Sequence, residues 1–230
     1  MKLSIIIPVY NEEDTVLQVV EAVRSVVLPS GISKEIVIVN DGSTDRTVEV
    51  LGQFASDPVI RIFHQSPNQG KTAAFRRGFQ EASGDILLIQ DADLEYHPRE
   101  YPKLLEPFLK DGVDAVYGSR FKGQIRRMEW VNRLANYLAT GTLNLFYGTA
   151  LTDINTCFKV VRSRALKGIE IRSSQFVGDI ELTAKLIRSG VRITEVPIDY
   201  EARSVKQGKK MDWPKALVLY WGIVYYRFAR

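Results

Sequence analysis

Through the first half of the chain, short apolar runs alternate with segments of helical periodicity, and this alternation limits the possible folds more than any other feature. Residues 3–9, 35–39, 59–63, 85–89 and 114–117 read as strands, and the first is a continuous apolar run. Between the first two, residues 14–28 place Val16, Val19, Val20 and Val23 at helical spacing. Further helices are predicted near 45–55, with Ser43 or Thr44 as a cap and Asp45 sharing that role, near 71–82, and near 98–110, where Pro98 stands in the first turn. Regular strand–helix alternation implies an α/β chain with a mostly parallel sheet and helices on both faces.

The second half is less regular. Residues 130–147 carry Trp130, Leu134, Tyr137, Leu138 and Leu145 on a broad helical stripe, and 158–161 reads as a short strand. A helix over 180–189 turns Leu182, Leu186 and Ile187 inward and ends at Gly190, and a strand follows over 192–196. Residues 214–228 form an apolar, aromatic helix flanked by Lys215, Arg227 and Arg230. With no repeat, low-complexity tract or linker, the 230 residues are expected to form one domain, and 45% hydrophobic residues supply a full core.

The net charge of +4 is concentrated in two clusters, Arg120, Lys122, Arg126, Arg127 and Arg133, and Arg203, Lys206, Lys209, Lys210 and Lys215. Such clusters suit nucleotide phosphates, a lipid phosphate or an anionic bilayer, or serve only as solvated surface. A nucleic-acid partner is not expected. Cys157 is the single cysteine, and His64 and His97 are the only histidines. These numbers allow no internal disulfide, suit a reducing compartment and leave no structural zinc site. The chain enters a strand at once, so no signal peptide is expected. The longest apolar run, 216–226, is shorter than the roughly 20 residues that span a bilayer.

Two familiar nucleotide signatures are missing. The turn after the first strand reads Pro8-Val9-Tyr10-Asn11-Glu12-Glu13, without the Gly-x-Gly-x-x-Gly of a dinucleotide site. Gly70-Lys71-Thr72 ends like a P-loop, but Gln65 stands where its first glycine belongs. Open α/β sheets bind ligands at the carboxyl ends of their strands. Those ends carry Tyr10-Asn11-Glu12, Asn40-Asp41-Gly42-Ser43, Asn68-Gln69-Gly70-Lys71, Asp91-Ala92-Asp93 and Gly118-Ser119-Arg120. Any one of them is an ordinary turn. Together they offer groups for a base, a ribose and phosphates, and Asp91-Ala92-Asp93 suits a hard divalent cation that also binds a diphosphate.

At these residues the chain resembles family 2 glycosyltransferases of the GT-A fold. The resemblance rests on Pro8 through Glu13, Asn40 through Asp45 and Asp91-Ala92-Asp93-Leu94-Glu95. Tyr117 through Phe121, Thr152 through Lys159, Glu195-Val196-Pro197-Ile198, Arg203, Gly208 through Lys210 and Trp213 are similar to the dolichyl- or polyprenyl-phosphate sugar transferase branch, whose type is dolichol-phosphate mannosyltransferase.

The resemblance implies a Rossmann-like central sheet and a C-terminal amphipathic helix. Residues 1–120 would form the nucleotide-sugar half. Residues 121–230 would form the acceptor half, with helices suited to a membrane interface. It implies that Pro8, Tyr10, Glu12 and Asp41 hold base and ribose, and that Asp91, Asp93 and Glu95 hold Mg2+ or Mn2+. Lys71, Ala92, Arg120, Arg203 and Lys209 would line the diphosphate, with a basic lid over 202–212. Asp93, Arg120 and Asp179 would take part in catalysis, Asp179 as the base for a hydroxyl acceptor or as an orienting group for a lipid phosphate. Asp179 also suits an N-cap. The implied reaction is inverting transfer of a hexose from a GDP-mannose or UDP-glucose type donor to a polyprenyl or dolichyl phosphate. The implied location is peripheral, at the cytoplasmic face of a membrane. Transfer to a saccharide or protein hydroxyl, nucleotidyl transfer and non-catalytic nucleotide binding are the alternatives.

Overall fold

A computed structural model describes residues 1–110, 112–173, 177–202 and 213–228, with the side chains of 213–217 and 219 excepted. Nine strands and seven α-helices occur among them. In chain order these are β1 (Lys2–Val9), α1 (Val16–Ser25), β2 (Ser33–Asp41), α2 (Thr47–Gly52), β3 (Ile60–Gln65), α3 (Lys71–Glu81), β4 (Ile86–Ile89) and α4 (Tyr101–Leu105). Then follow β5 (Ala115–Ser119), β6 (Ile125–Arg126), α5 (Trp130–Tyr147), β7 (Lys159–Arg162), α6 (Gly178–Arg188), β8 (Ile193–Pro197), β9 (Tyr200–Glu201) and α7 (Trp213–Phe228).

Seven strands form one sheet in the order β3-β2-β1-β4-β7-β5-β8, and β6 pairs with β9 in a small ribbon. Every pairing in the large sheet is parallel except those of β7, which runs antiparallel to both β4 and β5. Consecutive residues Ile5, Ile6 and Ile7 are all fully buried, as expected where both faces are covered. Gly78 lets α3 lie against β1, because a Cβ there would stand 2.2 Å from a methyl of Ile6. A second, smaller core gathers α5, α6 and α7 around Ala139, Leu143, Leu151, Ile154, Ile180 and Ile223.

Strand order reverses between β1 and β4, and there the sheet opens. Pairing of β4 with β1 reaches only Ile6↔Ile89, while β1 continues beside β2 to Val9↔Asn40. Pro8 stands in the stretch that β4 no longer pairs, where its missing N–H breaks no ladder. The crevice between the two strand ends is the place where open α/β sheets bind ligands.

Several predicted boundaries shift for local reasons. The first helix starts at Val16 rather than 14, because Thr15 and Val16 both donate to the Glu12 carbonyl and close a turn. The helix expected over 98–110 is broken into α4 and two flanking 3-10 turns. Pro107 has no N–H to continue an α-helix from Lys103. Neither Ser43 nor Thr44 caps α2. Ser43 Oγ accepts from the Asn11 N–H and the Thr44 hydroxyl bonds the Asn11 side chain, tying this loop to the one after β1.

At the opposite end of the sheet from the crevice, Glu35 clamps three segments. Its carboxylate accepts from Ser4 Oγ at 2.5 Å and the Ser83 N–H at 2.7 Å, and pairs with Lys2 Nζ at 2.7 Å. Burial alone would raise its pKa, but the Lys2 ammonium and the Ser4 and Ser83 donors outweigh it and hold the group at about 2 instead of 4.5. A depression of this size corresponds to on the order of 3 kcal/mol of stability. That stability is present above about pH 4.5 and disappears as pH falls through about 2. Glu35→Gln is therefore expected to lower urea stability at pH 7 by about 2–3 kcal/mol, with the gap to the parent closing between pH 4.5 and 2.

Candidate active site

Asp41, the last residue of β2, fastens the end of that strand to the end of β3 and the loop that follows it. Its Oδ1 accepts from Gln65 Nε2 at 2.6 Å and the Gln69 N–H at 2.8 Å, and its Oδ2 from the Gly70 N–H at 2.8 Å. Gly42, at φ +70°, permits the close approach, since a Cβ would lie 2.9 Å from the Asn68 nitrogen. Asp41 is buried, with most of its lone pairs committed to its own chain. The structure thus shows it fixing the start of α3, a duty that sequence reasoning did not foresee. Tyr10 stands exposed beside this loop and Pro8 is buried beneath it. Glu12 accepts the Thr15 hydroxyl at 2.8 Å, and that hydroxyl is also 2.7 Å from the Ala92 carbonyl. Thr15 therefore bridges the two sides of the crevice.

Asp91 begins the loop after β4, and Lys71 is the first residue of α3. Lys71 Nζ lies 2.5 Å from Asp91 Oδ1, with 24% and 20% of the two side chains exposed. Burial alone would lower the lysine's pKa, but the carboxylate of Asp91, with Cys157 and Asp179 nearby, keeps it well above its ordinary value. Burial would raise Asp91, and the ammonium instead holds it down. Asp93 accepts the Glu95 N–H at 3.1 Å, and Leu94 between them has φ +62°, a left-handed conformation that costs a leucine energy. Glu95 accepts the Tyr200 hydroxyl at 2.6 Å, which ties this loop to β9. Burial and that carboxylate push the tyrosine's pKa well up.

Among the described residues no three His, Cys, Asp or Glu groups converge as a ready-made metal site. Glu95, expected as a third ligand, has its carboxylate engaged by Tyr200. Asp91 and Asp93 remain as hard oxygen donors, a set that suits a divalent cation sharing its coordination with substrate phosphates.

The second half of the chain reaches the crevice through β7. Because that strand is antiparallel, Lys159 at its start lies beside Tyr117 near the end of β5. Just before it, Asp153 accepts a two-pronged pair of bonds from one edge of the Arg120 guanidinium, at 2.7 Å from Nε and 2.8 Å from Nη2, and accepts the Arg120 N–H as well. Both residues are buried, with Tyr200 and Tyr96 rings flanking the guanidinium. Glu195 holds the turn by accepting from the Thr152 and Asp153 N–H groups at 2.8 and 3.0 Å. Arg120, expected on a phosphate, thus spends much of its charge and donor capacity on an internal brace.

Lys159 is fully buried. Its ammonium bonds the Thr156 carbonyl, lies 3.3 Å from Asp179 Oδ1 and stands 5.3 Å from the centre of the Tyr117 ring. Asp179 is the second residue of α6 and does not cap it, since the N-cap residue is Val177 and no side chain caps the helix. At Gly178 a Cβ would stand 2.3 Å from the Thr72 side chain, so the starts of α3 and α6 touch. Lys71, Asp91, Asp179 and Lys159 consequently form one group of alternating charge across the two halves. Sequence reasoning quoted Asp153, Lys159 and Glu195 within motifs but assigned them no role. A lysine opening the apolar strand 159–162 was the available signal. Arg203, Lys209 and the expected lid over 202–212 lie outside the described residues, apart from Ala202.

Helices α5 and α7 pack side by side, joined by Tyr147 Oη on the Ile223 carbonyl and Tyr220 Oη on the Ala135 carbonyl, each at 3.0 Å. The residues α5 buries are Asn136, Ala139, Thr140 and Leu143, so its apolar stripe faces outward. Trp130, Tyr137 and Leu145 are 73%, 71% and 81% exposed, and Trp221 and Phe228 of α7 are 69% and 73% exposed. Arg126 and Arg133 are exposed near the start of α5. No helix among the described residues is long and apolar enough to cross a membrane.

Comparison with known proteins agrees with this geometry. The family model for glycosyl transferase family 2 matches residues 4–169. Dolichol-phosphate mannosyltransferase of Pyrococcus furiosus is 30% identical over 213 residues, covering 91% of this chain and 59% of that protein. Undecaprenyl-phosphate 4-deoxy-4-formamido-L-arabinose transferase of Edwardsiella ictaluri is 32% identical over 169 residues, covering 73% of this chain and 51% of that protein. The chain thus spans between half and three-fifths of these relatives' length. Among solved structures, glucosyl-3-phosphoglycerate synthase of Mycobacterium tuberculosis, in complex with Mn2+ and UDP-glucose, superposes with a TM-score of 0.73 at 20% identity. That match covers 98% of this chain and 77% of the synthase, and it bears out the expected α/β fold.

The brace yields a direct test. Asp153→Ala leaves the buried Arg120 guanidinium without its counter-charge, and stability is expected to fall by about 3–5 kcal/mol in urea unfolding.

Proposed function

The chain belongs to glycosyl transferase family 2, and on that premise we propose that it transfers a hexose, with inversion, from a nucleoside diphosphate sugar to a polyprenyl phosphate at a membrane surface. The observation that carries this reading is the placement of Asp91 and Asp93 directly after β4, beside the crevice where strand order reverses, with Asp91 paired to the first residue of α3. In this reading residues 1–120 hold the donor and residues 121–230 the acceptor.

Asp91 and Asp93 would hold Mg2+ or Mn2+ against the donor diphosphate. When bound, the metal neutralises charge developing on the leaving nucleoside diphosphate. Tyr10 and Glu12, in the turn after β1, would contact base and ribose. Asp41 shapes the neighbouring loop before α3, with donor selection between GDP and UDP sugars proposed to rest on that loop. An oxygen of the acceptor phosphate attacks the anomeric carbon while the bond from that carbon to the diphosphate oxygen breaks. The phosphate is ionised near neutral pH and needs no base. Asp179, held by Lys159, then orients charge rather than removing a proton. Arg203 and Lys209 are proposed to add phosphate contacts. The outward apolar and aromatic faces of α5 and α7, with Arg126, Arg133 and Arg227 beside them, suit a peripheral seat on a bilayer. The buried thiol of Cys157 is compatible with a reducing compartment, and so with the cytoplasmic face.

Labelled GDP- and UDP-hexoses offered with short prenyl phosphates, with and without Mn2+ or Mg2+, test the reading. Metal-dependent formation of a prenyl-phosphate hexose is expected, with turnover at least about 100-fold lower in Asp91→Ala and Asp93→Ala. Transfer to a saccharide or peptide hydroxyl with none to the phosphate would overturn the acceptor assignment.

A further inference from the structure

We propose that Lys71 is an exchangeable counter-ion for Asp91, occupying the carboxylate in the metal-free protein and yielding it when a divalent cation binds. This rests on the reading of Asp91 as a metal ligand. Three observations lead to it. The Lys71 ammonium lies 2.5 Å from Asp91 Oδ1, so the carboxylate a metal would use already carries a cation. That pair is partly open to solvent, with 24% and 20% of the side chains exposed, so exchange requires no unfolding. And the ammonium sits in an electrostatically unfavourable place, since Lys71 is the first residue of α3, an eleven-residue helix with no acidic side chain in its first turn.

A helix N-terminus favours anions and repels cations. Lys71 stays there because Asp91 and, at longer range, Asp179 attract it. Asp41 fixes that geometry by holding the Gln69 and Gly70 N–H groups immediately before the helix. Two cations held on one carboxylate repel each other, so a divalent ion on Asp91 weakens its hold on the ammonium. As it turns to the metal, the flexible lysine side chain is released toward the remaining anions of the crevice, which are Asp179 and the donor diphosphate. Asp179 already has a partner of its own in Lys159. The diphosphate is therefore the favoured destination, and the lysine side chain changes from blocking a carboxylate to holding a substrate.

A ligand whose site is occupied most of the time binds with an apparent affinity reduced by the fraction of time the site is open. Removing the competitor is therefore expected to tighten metal binding, whereas removing an ordinary site residue would weaken it. The test is direct Mn2+ binding to the full chain, followed by electron paramagnetic resonance of free Mn2+ in the absence of nucleotide. Lys71→Met is expected to bind Mn2+ roughly tenfold more tightly than the parent, as for a carboxylate occupied about nine-tenths of the time. Asp91→Asn is expected to lose the site in both backgrounds. Without metal, Lys71→Met should melt at a lower temperature, because Asp91 loses its nearest counter-charge, and Mn2+ should restore the midpoint. If the variant is unfolded without metal, refolding by Mn2+, absent in Lys71→Met/Asp91→Asn, gives the same answer. Unchanged or weaker Mn2+ binding in Lys71→Met, with Asp91→Asn still abolishing it, overturns the exchange. A Lys71→Met chain that Mn2+ cannot refold does so as well. If Asp91→Asn leaves Mn2+ binding intact in the parent, the reading of Asp91 as a ligand fails instead.

Discussion

Hydrogen bonding of β7 between β4 and β5, antiparallel to both, decides which side chains meet in this molecule. A parallel strand in that place would enter from the far end of the sheet and leave its first residue there. Run in reverse, β7 brings Lys159 and the segment before it to the carboxyl ends of its neighbours. Asp153, Cys157 and Lys159 thereby join Asp91 and Lys71, which the parallel half supplies. The first half provides loops suited to a nucleotide, and the reversed strand provides the buried charges that complete the floor.

Those charges balance within the protein. Arg120 is matched by Asp153, Lys71 by Asp91, Lys159 by Asp179 and Lys122 by Glu195. The pairs are not equivalent. Arg120 and Asp153 are both buried and joined by two guanidinium bonds, an arrangement that fixes position because breaking it strands a charge. Lys71 and Asp91 are both partly open and joined by one ion contact, so their pairing is more readily exchanged than the Arg120–Asp153 brace. Rigid and exchangeable ion pairs thus lie in the same crevice, distinguished by burial and by the number of bonds each makes.

The parallel strands and the positions of their carboxyl ends were legible in the sequence because apolar periodicity is a local property. So was Asp91-Ala92-Asp93 at the end of β4, and α5 lies where its stripe predicted. What sequence did not disclose depends on contacts distant along the chain. The Thr15–Ala92 bridge joins residues 77 apart, and the Arg120–Asp153 brace joins residues 33 apart. The antiparallel sense of β7 leaves no mark in a strand of four residues, Lys159–Arg162. The direction of α5 was also ambiguous, since small and polar residues such as Asn136, Ala139 and Thr140 do not announce a buried face. Asp41 shows the converse case. A carboxylate in a strand-end motif reads as a ligand-binding group, yet its oxygens are largely occupied by backbone N–H groups of the neighbouring loop and by the glutamine that ends β3.

The outward rings of α5 and α7 have a colloidal consequence separate from any chemistry. Trp130, Tyr137, Leu145, Trp221 and Phe228 together expose more apolar surface than isolated surface residues normally do. In plain water such a face is satisfied most readily by another copy of itself, so self-association competes with every other contact as concentration rises. An amphiphile that covers the face removes that competition. Handling of this chain at high concentration is therefore expected to depend on two helices that lie outside the crevice, and on the solvent chosen for them.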